Sequence, residues 1–338
     1  MKAIKVVKPF QIEIVDVPKP TITSDNDVII KITSGGICGS DVQIYNGTNS
    51  LATYPRVIGH EFGGIVEAVG DGVTNVKIGD KVAVDPVLSC GQCYACSQNR
   101  SNVCSTLKAM GVHVDGGFAE YVKVPQENVY KFSKDFDSSL LCTVEPYTIG
   151  MQINNRLRIT GEDQVLVMGC GPIGITIMQV AKSRGAKVVM SDILPKRLQT
   201  AKELGADETI LVWKEDLEER INQLTNGEGM PVVIDAVCIP ATFKQSIELA
   251  SPAGRVGVIG LKNIPAEISV ADITKKELDL IGSRLNNKCF PSVIESFENG
   301  TLDPRTIKTA EFNFMDVQKA FDLIISDPEK VLKVTLNF

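Results

Sequence analysis

The sequence is poor in histidine and has no excess of positive charge, and each shortage narrows what the protein does. Against 41 Asp and Glu stand 35 Lys and Arg, a net charge of −6, which argues against nucleic acid or an anionic membrane as the main partner. The first twenty residues lack an apolar core of about 7–15 residues and a small-residue cleavage site, so no secretion signal is expected. There is no internal repeat and no low-complexity segment. Histidine occurs only at His60 and His113. A lone histidine is by default a satisfied core or surface residue, so a role for either needs support from its neighbours. Cysteine is the exception to this poverty. Nine of them, an odd number in a long chain, fit a reducing compartment and metal ligation better than a disulfide framework, and the cytoplasm is the expected location.

At 338 residues and 43% hydrophobic content, the chain is long enough for two domains with a substantial core. Its most informative stretch is Gln164–Asp192. An apolar run, Val165–Met168, leads into Gly169-x-Gly171-x-x-Gly174. Apolar residues at helical spacing follow (Ile173, Ile177, Val180, Ala181), and a second apolar run closes on Asp192. This reads as strand, tight turn, helix and strand, the unit that binds the pyrophosphate of a dinucleotide. The first glycine permits the turn, the second admits phosphate to the backbone, and the third lets helix pack on strand; the helix N-terminus then faces the anion. The 18 residues Gln164–Ala181 carry no charge and meet the length rule for a membrane span. The change of periodicity at the glycines, with Pro172 placed where a helix begins, argues instead for a soluble unit. Asp192, 18 residues beyond Gly174, is placed to hold the ribose 2′-hydroxyl of NAD and repel the 2′-phosphate of NADP; Lys196 and Arg197 pull the other way. Candidate cofactor contacts are Gly169, Gly171, Pro172, Ile173, Gly174, Asp192, Arg197, Val237 and Ile259, the last two at the ends of later strands.

Before this stretch, short β-like runs at Ala3–Val7, Ile12–Val15, Val28–Ile32, Gly64–Val69, Lys81–Val84 and Phe118–Val124, separated by Gly and Pro turns, predict a β-rich domain. From about Thr148 helix and strand alternate: helices near Leu194–Leu204, Glu215–Leu224 and Ala241–Ala250, strands at Thr209–Val212, Val232–Val237, Arg255–Ile259 and Leu278–Gly282. That alternation predicts an α/β, doubly wound parallel sheet covered on both faces. Beyond Arg284 come helices near Pro291–Glu298 and Met315–Ser326 and a last β-like run, Val331–Phe338, which is expected to rejoin the first portion.

Two metal sites are expected. Cys90, Cys93, Cys96 and Cys104 give C-x2-C-x2-C-x7-C within fifteen residues rich in Gly, Ser, Gln and Asn. Four thiolates so spaced suit a closed tetrahedral zinc site that supplies folding energy and leaves no open position. The C-x3-C-P ending of ferredoxin clusters is absent. The second candidates are Cys38 in GICGSD, His60 and Glu61 in IGHEF, and Glu145 in CTVEPY. A catalytic zinc takes about three protein ligands and keeps a free position, and Cys38, His60 and Glu145 come from three segments flanked by glycine or proline. His113, before Asp115-Gly116-Gly117, is a candidate substrate contact. Cys142, Cys170, Cys238 and Cys289 read as small core residues.

Together GICGSD (36–41), GHEFGG (59–64), VAVDP (82–86), CGQCYACSQNRSNVC (90–104), DGGFAEY (115–121), VEP (144–146) and GCGPIG (169–174) resemble the zinc-dependent medium-chain dehydrogenase/reductase family over essentially the whole chain. GVHVDGG (111–117) and GSRLNNKCFP (282–291) are similar to the branch that includes sorbitol dehydrogenase and the L-gulonate and L-galactonate 5-dehydrogenases. The resemblance implies a split GroES-like catalytic domain, 1–148 and 286–338 with its zinc lobe at 89–105, around a Rossmann NAD-binding domain at 149–285. It implies two zinc ions per chain, the catalytic one on Cys38, His60 and Glu145 with Glu61 as a nearby, exchanging ligand. Ser40 is then the first proton acceptor. Where some relatives relay the proton through a histidine five positions after the zinc cysteine, this chain has Gln43, which leaves water as the outer path.

Zinc lowers the pKa of bound water by about 8–9 units. A similar effect on an alcohol is worth about 12 kcal/mol, whereas general-base help gives about 3–5 kcal/mol. The metal is therefore expected to carry most of the activation, with hydride passing to nicotinamide. The expected reaction is oxidation of a secondary alcohol on a sugar acid, an aldonate such as L-gulonate at C5, with Arg284 binding the carboxylate in a bidentate way or ordering the site carboxylates. Polyol or L-threonine oxidation are the alternatives, and a non-catalytic nucleotide-binding regulator is a reading of another class. A homo-oligomer, dimer or tetramer, is implied, joined near Pro265–Ile273 at a sheet edge.

Overall fold

The computed structural model describes residues 1–261 and 263–338, which fall into two units: Met1–Glu145 with Asn287–Phe338, and Pro146–Asn286. In the first, β-branched runs broken by glycine build a seven-stranded sheet. Its central strand, Asp27–Ile37, is bordered by Glu61–Val69 along one side, and on the other by Tyr121–Pro125 over its first half and Lys333–Asn337 over its last residues. The last β-like run thus returns to the first portion of the chain, antiparallel to the strand that delivers Cys38. Register matters here: Gly36 is opposite Glu61 on one side and Thr335 on the other. Phe62, on the Glu61–Val69 strand, and Phe118 are buried, and each such side chain contributes about 1.5–3 kcal/mol.

In the second unit six parallel strands lie in the order Glu208–Leu211, Lys187–Asp192, Gln164–Met168, Met230–Asp235, Ala250–Val258, Asp279–Gly282. Val165, Leu166 and Val167 have no exposed surface, as expected of a strand covered on both faces. The order reverses between Gln164–Met168 and Met230–Asp235, and at such a switch the strand carboxyl ends open a ligand crevice. This is the GroES-like plus Rossmann α/β architecture expected. No helix among the described residues is long and apolar enough to cross a membrane; Gln164–Ala181 is strand, turn and helix.

Several expectations need correction. The strand foreseen over Phe118–Val124 starts only at Tyr121, because Phe118 donates its N–H to the Ile58 carbonyl and ties itself to the His60 loop instead. The strand foreseen to Val237 stops at Asp235, whose side chain accepts the N–H groups of Val237 and Cys238 and forces a turn. Cys238 is therefore no core residue but a half-buried turn residue at φ 58°; Cys142, Cys170 and Cys289 are buried. Helices at Gly39–Tyr45 and Val144–Arg156 and a strand at Lys308–Asn313 were not foreseen. Pro146 sits in the first turn of its helix, where a missing N–H breaks no intrahelical bond.

Candidate active site

The end of the Asp27–Ile37 strand hands Cys38 to the short helix Gly39–Tyr45, while the turn before Glu61–Val69 carries His60. Asp41 binds these segments together. One carboxylate oxygen accepts the Cys38 N–H at 2.9 Å. The other accepts the Gly59 N–H at 3.3 Å and lies 3.5 Å from His60 Nδ1. With Nδ1 turned to a buried carboxylate, Nε2 faces the other way, 3.3 Å from the Ser40 hydroxyl, the arrangement in which a carboxylate orients a metal-binding imidazole. Asp41 was missed in the sequence although it stands in GICGSD, because its role depends on the distant Gly59–His60 turn.

Donor atoms of Cys38, His60 and Glu61 lie within 4.8 Å of one another. The close trio contains Glu61, the carboxylate that the resemblance had made an exchanging ligand beside Glu145. Glu145, in the first turn of Val144–Arg156, is buried and interacts electrostatically with His60 and Glu61. Burial pushes its carboxyl up to about 8, His60 opposing and Glu61 adding to the shift. Burial alone would pull the His60 imidazole down, but Asp41 and Cys38 hold it well above its ordinary value. Two carboxylates and a thiol are thus packed about one imidazole, an acid-rich set that a cation would neutralise. Glu61 Oε2 is buried without a hydrogen-bond partner, and a Cβ on Gly36 would lie 2.3 Å from it. These sulfur, nitrogen and oxygen donors fit a zinc ion.

Glu61 Oε1 is taken by Lys333, a residue the sequence gave no reason to notice. Its ammonium donates to Oε1 at 2.6 Å and to the Ile37 carbonyl at 3.3 Å, and both side chains are almost wholly buried. Burial tends to lower a lysine pKa, but Glu61, with help from Cys38 and Glu145, raises this one, so Lys333 is a fixed cation.

In the lobe, the donor atoms of Cys90, Cys93, Cys96 and Cys104 also lie within 4.8 Å of one another. Sulfur–sulfur distances are 3.4 Å for Cys90–Cys104 and 3.6 Å for Cys93–Cys96, close to the ~3.8 Å edge of a tetrahedron with Zn–S near 2.3 Å. Backbone N–H groups of Ser105 and Cys96 bring the Cys93 thiol down to about 5, whereas burial pushes Cys96 up to about 11. All nine cysteines are free.

In the second unit Gly169 turns the chain at φ 102°. A Cβ on Gly174 would sit 1.9 Å from the Gly169 carbonyl oxygen, whereas one on Gly171 would meet only the Arg197 guanidinium at 3.9 Å. The third glycine serves packing and the second leaves space open to a phosphate beside a cation, at the start of the helix Pro172–Ser183. Asp192 is fixed by accepting the Cys170 N–H at 2.7 Å and the Leu194 N–H at 2.9 Å. Pro172, Ile173 and Ile259 are half-buried and Val237 is exposed. Arg284 is half-buried. His113 Nδ1 accepts the Ala109 N–H at 3.0 Å.

An imidazole oriented by a carboxylate, with a thiol and a second carboxylate close by on a GroES-like unit, together with a dinucleotide-binding sheet in the same chain, defines an alcohol dehydrogenase of the metal-dependent class. The alcohol dehydrogenase GroES-like domain matches residues 24–134, and the zinc-binding dehydrogenase domain matches residues 172–299. The chain belongs to the zinc-dependent medium-chain dehydrogenase/reductase family. It is similar to the starvation-sensing protein RspB of Escherichia coli K12, 43% identical over 100% of this chain and 99% of that protein. The crystal structure of rspB from E. coli CFT073, complexed with the cofactor NADH, matches with a TM-score of 0.95 at 42% identity, covering 100% and 99% of the two chains. It is also similar to L-threonine 3-dehydrogenase of Bacillus velezensis (36%, covering 96% and 95%) and to L-galactonate-5-dehydrogenase of E. coli K12 (31%, covering 94% and 93%).

Proposed function

We propose that this NAD-dependent zinc alcohol dehydrogenase oxidises a secondary alcohol on a sugar acid, an aldonate such as L-gulonate, at C5 to a keto acid. The observation that carries alcohol oxidation is the close Cys38–His60–Glu61 trio beside Ser40. The sugar-acid reading draws on the likeness to L-galactonate-5-dehydrogenase, and assigns Arg284 the carboxylate. L-Threonine oxidation is the second reading, favoured by the likeness to L-threonine 3-dehydrogenases. Initial rates of NAD reduction, measured side by side with L-gulonate, L-galactonate, sorbitol and L-threonine, decide between them. We expect kcat/KM to be highest for an aldonate; turnover of sorbitol or threonine alone overturns the reading.

Two zinc ions per chain are part of this proposal, one held by Cys38, His60 and the carboxylates Glu61 and Glu145, the other by the four lobe cysteines. Bound there, the first supplies Lewis-acid polarisation of the alcohol oxygen, and NAD supplies the hydride acceptor. The chain's own residues do the rest. Asp41 keeps the His60 ring in one orientation. Ser40 takes the hydroxyl proton at Oγ, and the exposed Gln43 offers no basic group to receive it, so the proton leaves through water. Gly171 and the N-terminus of Pro172–Ser183 hold the pyrophosphate, Arg197 lies above them, and Asp192 fixes the ribose.

The proposal includes a homo-oligomer, dimer or tetramer. Asp279–Gly282 is an edge strand, and Leu261, Ile264 and Val270 before it are exposed. An open edge flanked by apolar side chains invites a second copy. Light scattering is expected to give at least twice the chain mass, and a monomer at micromolar concentration would rule the association out.

A further inference from the structure

Among the described residues Lys333 is the only buried lysine or arginine, and both of its partners belong to the metal-ligand set. Its ammonium donates to Glu61 Oε1 at 2.6 Å and to the carbonyl of Ile37, the residue before Cys38, at 3.3 Å. One cation thus ties the carboxylate of one ligand to the peptide that delivers another. A buried ion pair is often no more stabilising than apolar side chains of the same volume, so stability alone does not explain a lysine at this place.

The two oxygens of Glu61 are in unlike situations. Oε1 is held by Lys333, whereas Oε2 is buried with no hydrogen-bond partner. Oε2 lies over Gly36, where a Cβ would be 2.3 Å from it. A carboxylate with both oxygens free can grip a cation twice, but one with Oε1 committed offers a single oxygen. Charge points the same way. The Cys38 thiolate and the Glu61 and Glu145 carboxylates together carry one negative charge more than a zinc ion neutralises, and the ammonium makes up the difference. We propose that Lys333 is a positioning residue of the metal centre: it holds Glu61 by Oε1 and leaves Oε2 alone for the cation, so that Glu61 is a one-oxygen, readily released ligand and not a two-oxygen clamp. Gly36 is the second part of the device, because a side chain there would take the place of Oε2. The inference rests on the reading of Cys38, His60, Glu61 and Glu145 as a zinc site. It adds a residue 272 positions from Glu61 that acts on the metal only through that ligand.

The test uses the full-length protein with zinc in the four-cysteine lobe, and zinc or cobalt(II) at the second site. In competition with a chelator, Lys333→Met is expected to bind that second zinc about ten- to a hundredfold more tightly than the wild type. This is the size usual for a residue that partners a metal ligand, but of opposite sign, because the freed carboxylate can close on the cation with both oxygens. With cobalt(II) in its place the visible d–d absorption should fall, as it does when coordination rises from four to five or six. Gly36→Ala keeps Lys333 but displaces Oε2, and is expected to weaken zinc binding by about tenfold. A Lys333→Met protein with wild-type zinc affinity and cobalt spectrum overturns the proposal, and so does one that binds zinc more weakly, the mark of a site merely loosened. Should that variant fail to fold, Gly36→Ala decides alone, and an unchanged affinity overturns the proposal. A wild-type protein that takes up one zinc, in the lobe only, overturns the metal reading itself.

Discussion

His60→Ala is expected to lower kcat/KM by about a thousandfold or more and, of the two zinc ions proposed per chain, to leave one. Lewis-acid stabilisation is worth several kcal/mol, and each 1.36 kcal/mol is about a factor of ten in rate. His60 is the one nitrogen donor of the close trio, and its removal leaves a metal short of one of the about three protein ligands it needs. The four-cysteine lobe shares no ligand with that trio, so its metal should stay, and with it the far-ultraviolet circular dichroism of the wild type. Elemental analysis and steady-state kinetics on the same preparation check both halves. Two zincs retained at near wild-type rate would remove His60 from the site, and loss of both would show that the centres are not independent.

Lys333→Met is expected to cost about 3–5 kcal/mol of stability, the range for breaking a buried ion pair and leaving one charge uncompensated. Neither partner has water to turn to: Lys333 side-chain exposure is 2% and that of Glu61 is zero. The double variant Glu61→Gln, Lys333→Met should recover much of the loss, since an amide needs no counter-charge. Urea unfolding of the four proteins forms a double-mutant cycle whose coupling is expected to exceed about 1 kcal/mol. The single-variant cost should be larger after chelation, because a bound cation supplies part of the charge that Lys333 provides. Additive effects of the two substitutions would show that the pair is incidental.

These two side chains also mark what could be read in the sequence. His60 was legible because glycine-flanked histidine, clustered cysteines and the glycine turn are local patterns, each demanded by chemistry that needs those residues close in sequence. Asp192 was legible for the same reason, one helix beyond Gly174. Lys333 lies 272 positions from Glu61, and nothing in Val331–Phe338 distinguishes it from a surface lysine on an edge strand. Only the register that sets Lys333–Asn337 against residues 34–37 turns it inward. Asp41 was in plain view but inert on paper, because its partners Gly59 and His60 arrive from another turn. Glu61 and Glu145 were both legible as candidate ligands, but their order about His60 was not, because Glu145 comes from the helix Val144–Arg156, far along the chain.

The antiparallel return of Lys333–Asn337 beside the strand that ends at Cys38 has a consequence for how the protein is made. Translation delivers Cys38, His60 and Glu61 early, then all of Pro146–Asn286, and only afterwards Lys333. At the ~5–20 residues per second of a ribosome, Glu61 waits about fourteen to fifty-four seconds for its counter-ion 272 positions on, while the nucleotide-binding unit has its whole sequence in hand before then. The catalytic pocket is therefore expected to close after the unit encoded within it, and zinc held by Cys38 and His60 would offset the Glu61 charge during that interval.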